Sequence, residues 1–291
     1  MSTDPDWALY RTLLAVLDEG SLSSAARRLG LAQPTVARHV DALEALLGAD
    51  LFLRSQRGLQ PTDLALALRP HARIMAATAA ALLRTAHGTA GEVTGTVRIS
   101  ASDVVGVEHL PPILARLRRD HPALVIELTL SDRLDDLIAR EADIAVRMTE
   151  PTQAALLARR LPAIELGFHA HQDYLETRGW PRSLADLASH DLIGFDAETP
   201  ALLAMVASLP GLGRGQFALR TDSNLAQLAA TRAGFGVGLC QAALAKRDPA
   251  LRRVLPDVSL HLPLWIVMHE DLRTNARYRA VFDALAAGLS I

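Results

Sequence analysis

Ser21-Leu-Ser-Ser-Ala-Ala-Arg-Arg-Leu-Gly-Leu-Ala-Gln-Pro-Thr-Val-Ala-Arg-His-Val-Asp-Ala-Leu-Glu-Ala-Leu-Leu-Gly48 reads as two short helices joined by a tight turn. Ser21 is a good N-cap, its oxygen placed to accept a first-turn N–H that has no helical partner. Ala25, Ala26 and Leu29 then form one apolar stripe, and Gly30 stands where a helix end favours a left-handed residue. Pro34 supplies the fixed φ favoured at the first helical position. Val36, Val40, Leu43 and Leu47 follow at helical spacing, and Gly48 closes the second helix. Two small alanines let the helices cross closely.

The outward face of the second helix separates this stretch from an ordinary helical hairpin. Gln33, Thr35, Arg38 and His39 cluster at its N-terminal end, away from the Val36/Val40/Leu43 stripe. Amide, hydroxyl and guanidinium groups on the first turns of a helix suit base edges and phosphates in a major groove. A solvated face is the default reading of such residues. The short turn, the capping and the polar cluster together point to DNA recognition.

Working outward, Trp7–Leu17 forms a preceding helix, with Leu9, Tyr10, Leu13, Leu14 and Leu17 to cover the hairpin. Beyond Gly48, Leu51–Arg54 reads as a strand, Ser55-Gln-Arg-Gly58 as a polar turn, and Leu59–Pro61 as a return strand with its proline at an edge. Three helices and a β-hairpin make a winged helix-turn-helix. Arg54 at the base of the wing and Arg57 at its tip are placed for backbone phosphate or the minor groove.

Thr62 caps a helical pattern from Asp63 to Ala86, about 36 Å of rod at 1.5 Å per residue. Leu64, Leu68, His71, Met75, Thr78 and Leu82 recur at spacings of four and three, a coiled-coil seam with polar interruptions. Pro70 falls inside and predicts a kink or a break near Leu68–Arg69. A rod this rich in alanine and leucine needs cover, and a partner chain is the favoured one. His87–Gly95 is small, polar and glycine-rich, a linker.

The pattern then changes to strands alternating with helices. Thr96–Ser100, Leu124–Leu130 and Ala142–Arg147 read as strands, with helices over Leu110–Arg119 and Leu134–Arg140 between them. Such alternation predicts βαβ units and a parallel sheet. The same pattern continues, with strands at Ile164–His169, Leu192–Phe195, Phe217–Thr221, Val237–Cys240 and Leu264–His269. Helical segments are read over Tyr174–Thr177, Asn224–Ala233 and Thr274–Gly288.

Composition sets bounds. At 291 residues, half of them hydrophobic, the chain has material for about two well-packed domains. The net charge of −2 and the mixed charges of the N-terminal part exclude a protein that coats DNA without regard to sequence. No apolar run reaches the roughly 18–20 residues that span a bilayer. Met1-Ser-Thr-Asp-Pro-Asp lacks the layout of a secretory signal, and a single cysteine fits a reducing compartment. The expectation is a cytoplasmic protein with no membrane partner.

With these residues in hand, the N-terminal part resembles the LysR-type transcriptional regulators. The resemblance is carried by Gly20–Leu29, by Gln33-Pro-Thr-Val-Ala-Arg-His-Val-Asp-Ala-Leu-Glu44, by Leu47–Arg54 and by Pro61-Thr62. Gly95–Ser100, Glu141–Arg147 and Ala233–Leu239 are similar to that family's effector domain. This chain has Ala32 and Ala37 where the family usually carries serines, and Ala65 where it usually carries glycine. The resemblance implies an α+β multidomain fold: a winged helix-turn-helix over 1–62, a dimerising linker helix and hinge over 63–92, and a two-lobed α/β effector domain over 93–291, like a periplasmic binding protein. It implies a homodimer or homotetramer on a partly palindromic double-stranded operator, a small effector between the lobes, and RNA polymerase as a further partner. No cofactor is expected.

The DNA-contacting set expected is Ser21, Ser23, Gln33, Pro34, Thr35, Arg38, His39, Arg54 and Arg57. In open α/β folds ligands lie beyond the carboxyl ends of the strands. That rule singles out Ser100, Ser102, Asp103, Thr129, Ser131, Asp132 and Arg147. Asp222, Ser223 and Asn224 open a helix whose first amides favour an anion. Hydroxyls, these amides and Arg147 suit a small carboxylate or similar polar effector. Ordinary loop capping is the alternative at each position.

Two rivals are weaker. An enzyme would need a site, but Cys240 sits in an apolar context, as an inert core cysteine does. His169 and His171 share a strand face without further ligands at metal spacing, so no metal is expected. Gly211–Gly215 and Gly234–Gly238 read as turns rather than nucleotide fingerprints. A transport-type binding protein for residues 93–291 fits poorly with a fused DNA-reading domain.

Overall fold

The computed structural model describes residues 6–55, 58–86, 92–131, 142–151, 156–207, 209 and 211–289. Arg57, Asp132, the helix expected over Leu134–Arg140 and residues 87–91 of the linker lie outside the described residues. The chain divides into two compact units, one N-terminal and one beginning before the first strand of the large sheet.

In the N-terminal unit, α1 (Trp7–Glu19), α2 (Leu22–Leu29) and α3 (Gln33–Leu47) precede the hairpin β1 (Phe52–Ser55) and β2 (Gly58–Pro61), and α4 (Asp63–Ala86) follows. Asp6 caps α1 by accepting from Ala8 N, and Ser21 caps α2 by accepting from Ser24 N at 3.2 Å. Gly30 and Gly48 end α2 and α3 with φ of 67°, a left-handed conformation that costs a glycine little. Pro34 lies in the first turn of α3, but the N-cap there is Ala32, which offers no side-chain bond.

Val36, Val40 and Leu43 are buried as their spacing predicts, against Ala15, Val16, Ala25, Ala26, Leu13 and Leu51. Leu47, expected to extend that stripe, is exposed in the last turn instead. The carboxylate of Glu44 reaches past the end of α3. Its Oε1 accepts from Leu51 N at 2.7 Å and Phe52 N at 3.1 Å, tying the wing to the recognition helix. Asp18 at the end of α1 binds Arg28 of α2 and Arg69 and Arg73 of α4. Burial pushes its carboxyl up. The hydrogen bond from Arg69 and the charges of Arg73, Arg69 and Arg28 outweigh that and hold it below its ordinary value.

Helix α4 has the expected bounds and runs through Pro70 without the predicted break. Pro70 and Leu66 are both exposed, so water can take the carbonyl bond that proline cannot. Ala65 and Ala72 are buried one heptad apart, whereas Leu64, Met75 and Leu82 of the seam are exposed, Leu82 by 68%.

The C-terminal unit starts with β3 (Gly95–Ala101), a single π turn at Val105–His109, α5 (Leu110–Asp120), β4 (Leu124–Leu130) and β5 (Ile144–Arg147). Then come β6 (Leu156–His171), α6 (Gln172–Arg178), β7 (Leu192–Gly194), α7 (Pro200–Val206), β8 (Phe217–Arg220) and α8 (Asn224–Arg232). The chain continues through β9 (Gly238–Gln241), α9 (Ala242–Ala245), β10 (Leu251–Arg253), β11 (Leu260–His269) and α10 (Ala276–Gly288).

The large sheet is ordered β10-β6-β11-β5-β3-β4, with β9 also on β6. Only part of it is parallel. β3 pairs in parallel with β4 and β5, the expected βαβ region, but β11 runs antiparallel to β5 and β6, and β9 and β10 run antiparallel to β6. β5 and β6 run in the same direction, and β11, entering between them from the far end of the chain, is antiparallel to both. The long strand β6 serves both lobes, pairing with β11 over its first part and with β9 and β10 near its end.

Its first half was not legible as strand because Arg159-Arg160 and Pro162 interrupt the apolar alternation. The register moves from Ile164↔Leu262 to Leu161↔Leu264, so Pro162 and Pro263 both fall at the irregularity, where the ladder needs no donor. Two apolar cores result. One joins Val97, Ile99, Ile144 and Ile266 to Leu110, Val281 and Leu285. The other joins Phe168, Tyr174, Leu187, Leu192 and Val237.

Candidate DNA-contacting face and effector cavity

On α3, Gln33, Pro34 and Arg38 are exposed and Thr35 is half-buried at the N-terminal end. Ser23 of α2 donates to Gln33 Oε1 at 3.1 Å, so the two helices present these side chains together. The oxygen of Ser21 is taken up by its cap. His39 departs from the expected outward cluster. It is half-buried, and its Nδ1 lies 2.8 Å from Thr12 Oγ1 on α1. Thr12 donates its own proton to Ala8 O, so His39 Nδ1–H is the donor to Thr12. Helical geometry gives the reason: residue 39 lies about 60° from Val36, beside the buried stripe, whereas Arg38 lies on the opposite side. Arg54 stands on β1 opposite Leu59.

In the C-terminal unit a cavity of about 260 Å³ lies between the lobes. Its polar lining is Ser102, Asn224, Gln227 and Gln241. The rest is apolar, including Val104, Met148, Leu166 and Leu262 together with Phe195, Met205, Leu228 and Leu239. Among the described residues no lining side chain is charged. Ser102 is 6% exposed, and its buried hydroxyl oxygen has no hydrogen-bond partner among the described residues. Leaving such a group unmet costs about 1–3 kcal/mol. A ligand group in the cavity would meet it.

Ser102 and Asn224 are therefore the two expected effector residues that line the cavity. Arg147 is buried, but it donates to Ser100 Oγ at 2.6 Å and to Val146 O, and neither Arg147 nor Ser100 lines the space. Asp222 accepts from Asp196 N and Ala197 N and so holds a loop, and Ser223 caps α8 through Ala226 N. Thr129 is exposed on the sheet edge, Ser131 N donates to Ala101 O, and Asp103 stands outside the lining.

The strand-end rule, applied one residue further, finds three that were missed: Met148 after β5, Phe195 after β7 and Gln241 at the end of β9. Gln227 is three residues past Asn224, on the same face of α8. Cys240 also lines the cavity. Burial pushes its thiol up to about 11, so it stays protonated near neutral pH.

One ion pair joins the lobes beside the cavity. Arg232 at the end of α8 grips Glu108 of the π turn through two bonds, at 2.5 Å and 3.1 Å. The Arg232 hydrogen bond holds the Glu108 carboxyl below its ordinary value, against the opposing effect of burial. Among the described residues no cluster of His, Cys, Asp or Glu could hold a metal, and no helix is long and apolar enough to cross a membrane. His169, one of the two strand histidines, is buried with Nδ1 at 2.8 Å from Gly167 O.

A winged helix-turn-helix and a two-lobed domain with an interlobe cavity, on one chain, define the class of transcription factors that carry DNA binding and ligand binding together. A family model for bacterial regulatory helix-turn-helix proteins of the lysR family matches residues 7–66, and one for the LysR substrate binding domain matches residues 90–290. The chain belongs to the LysR family of DNA-binding transcriptional regulators, and is not an enzyme.

It is 28% identical over 296 residues to the probable HTH-type transcriptional regulator LtrA of Klebsiella pneumoniae, covering 97% of this chain and 93% of that protein. It is 29% identical over 286 residues to the HTH-type transcriptional regulator CrgA of Neisseria meningitidis, covering 94% of each. The fold is shared with the crystal structure of CbnR, a LysR family transcriptional regulator, at a TM-score of 0.69 and 20% identity over 97% of this chain and 99% of that one.

Proposed function

We propose that this regulator answers to a small effector with one polar end, a carboxylate or similar group, held in the interlobe cavity. The buried, unmet hydroxyl of Ser102 carries the reading. Asn224 and the first amides of α8 supply further donors suited to a carboxylate. The apolar wall then takes an aliphatic or aromatic body. Arg147, once expected as the counter-ion, is not part of this set. The effector's charge is met by dipoles, and most of its binding comes from apolar burial.

In the same reading, residues 1–62 contact DNA, 63–92 pair two copies through the exposed seam of α4, and 93–291 sense the effector. Gln33, Thr35 and Arg38 read the major groove with Ser23 and Pro34 beside them, and Arg54 and Arg57 of the wing reach phosphate. Ser21 and His39 position the helices instead. A homodimer or homotetramer on a partly palindromic operator, in the cytoplasm and acting on RNA polymerase, completes the reading.

Thermal denaturation of the full chain with a panel of aromatic and branched monocarboxylates is the test. At least one should raise the transition, and Ser102→Ala should remove that rise while the unliganded transition stays within a few degrees. An equal rise in Ser102→Ala would place the ligand elsewhere.

A further inference from the structure

The C-terminal unit carries a second concavity. A groove of about 530 Å³ is lined by His109 of the π turn, Glu165 of β6, Gln241, Lys246, Arg247 and His261. A smaller neighbouring hollow shares Glu165 and Lys246 and adds Arg253 and His169. Where the described lining of the effector cavity carries no charge, this region is cationic.

The one carboxylate among its described lining residues is already occupied. Glu165 Oε1 pairs with Arg253 at 3.0 Å and accepts from Ser259 at 2.8 Å. Lys246, the chain's single lysine, and Arg247 pair with no carboxylate among the described residues. Arg247 donates to the backbone carbonyl of Glu108 at 3.2 Å, and its charge helps to hold the Glu108 carboxyl below its ordinary value. Lys246 is thus exposed beside the concave wall, and next to it Arg247 shares with Arg232 the single charge of the Glu108 carboxylate, which Arg232 grips.

The groove is also wired to the cavity. Gln241 lines both spaces. Its Oε1 lies 2.8 Å from Nε2 of His109, which is 3% exposed and faces the groove. Displacement of either side chain breaks a buried hydrogen bond unless the other follows.

We propose that this groove is a second ligand site, for a small multiply charged oxyanion held by Lys246 and Arg247, and that it communicates with the effector cavity through the His109–Gln241 hydrogen bond. The communication rests on the effector reading of the cavity, and the binding does not. Ligands in the two spaces then affect each other reciprocally, as linkage requires.

Inorganic phosphate is the probe, titrated calorimetrically into the full chain with ionic strength held constant by potassium chloride. One saturable site is expected, weakened about tenfold or more in Lys246→Gln/Arg247→Gln, as befits charge-assisted bonds. Both residues are exposed, so the fold is not at stake. Unchanged affinity in the double variant, or heat that follows ionic strength alone, overturns the site.

The chain's single cysteine reports the communication, because Cys240 lines the cavity beside Gln241. Saturating phosphate should change its alkylation rate by iodoacetamide severalfold in the native chain and leave it unchanged in Gln241→Leu. No change in the native chain, or an equal change in Gln241→Leu, overturns it. Failure of the effector reading shows separately, as loss of the carboxylate-induced thermal shift with phosphate binding intact.

Discussion

Glu44→Ala should loosen the wing without unfolding the helices that carry it. The half-buried carboxylate accepts from Leu51 N at 2.7 Å and Phe52 N at 3.1 Å, and Leu51 is fully buried. A hydrogen bond to a charged group is worth about 1.5–3 kcal/mol, and an unmet buried donor costs about 1–3 kcal/mol. The two overlap, and the half exposure of Glu44 lets water reach Phe52 N, so a net loss of about 2 kcal/mol is expected. At 1.4 kcal/mol per factor of ten, the Leu51 amide should exchange with deuterium about 30-fold faster. Hydrogen-exchange mass spectrometry of the full chain reads this in the peptide spanning residues 50–53. Glu44→Gln keeps a neutral acceptor and should lie between the two. Unchanged exchange in Glu44→Ala would refute the tether. Faster exchange throughout α1–α3 would show that Glu44 holds the whole unit, not the wing.

Leu43→Ala removes a fully buried side chain packed with Leu13, Leu51 and Ala65 and should cost about 2–5 kcal/mol in urea denaturation of the full chain. Arg38→Ala should weaken binding to an operator selected from random duplexes by about 1–3 kcal/mol if it reads a base, and fluorescence anisotropy with unchanged affinity rejects the assignment. Asp18→Asn should destabilise the anchoring of α4 by under about 1 kcal/mol, since the Asp18 pairs are partly solvated. The carboxyl of Asp18 is held below its ordinary 3.8, so its contribution is present above that value and lost as pH falls through the lower folded-state value. The native-minus-variant difference in urea midpoint should therefore shrink from about pH 6 to about pH 3.

The N-terminal unit was legible because its signals are local. Caps at Ser21 and Thr62, left-handed glycines at 30 and 48, and the period of Val36, Val40 and Leu43 each act within a few residues. His39 escaped because one turn-step separates an outward from an inward face, and only the position of Thr12 decides it. Glu44 escaped because its partners lie beyond a glycine turn. In the C-terminal unit, alternation found β3, β4 and β5 but not the direction of the strands that follow. β11 comes from near the end of the chain to lie between β5 and β6, a pairing that no local pattern announces. The effector set was read from strand ends, yet Arg147 and Ser100 turned to each other. Residue type at a strand end does not say which face of the sheet the side chain takes.

Control of DNA binding from the interlobe cavity is tested most directly by anisotropy titration of operator DNA with a carboxylate found to stabilise the chain. The native protein should change its DNA affinity or its footprint on adding that carboxylate. Leu228→Trp, which fills a wall of the cavity, should bind DNA as the unliganded protein does and ignore the carboxylate. A full response in Leu228→Trp would contradict the cavity as the sensing site.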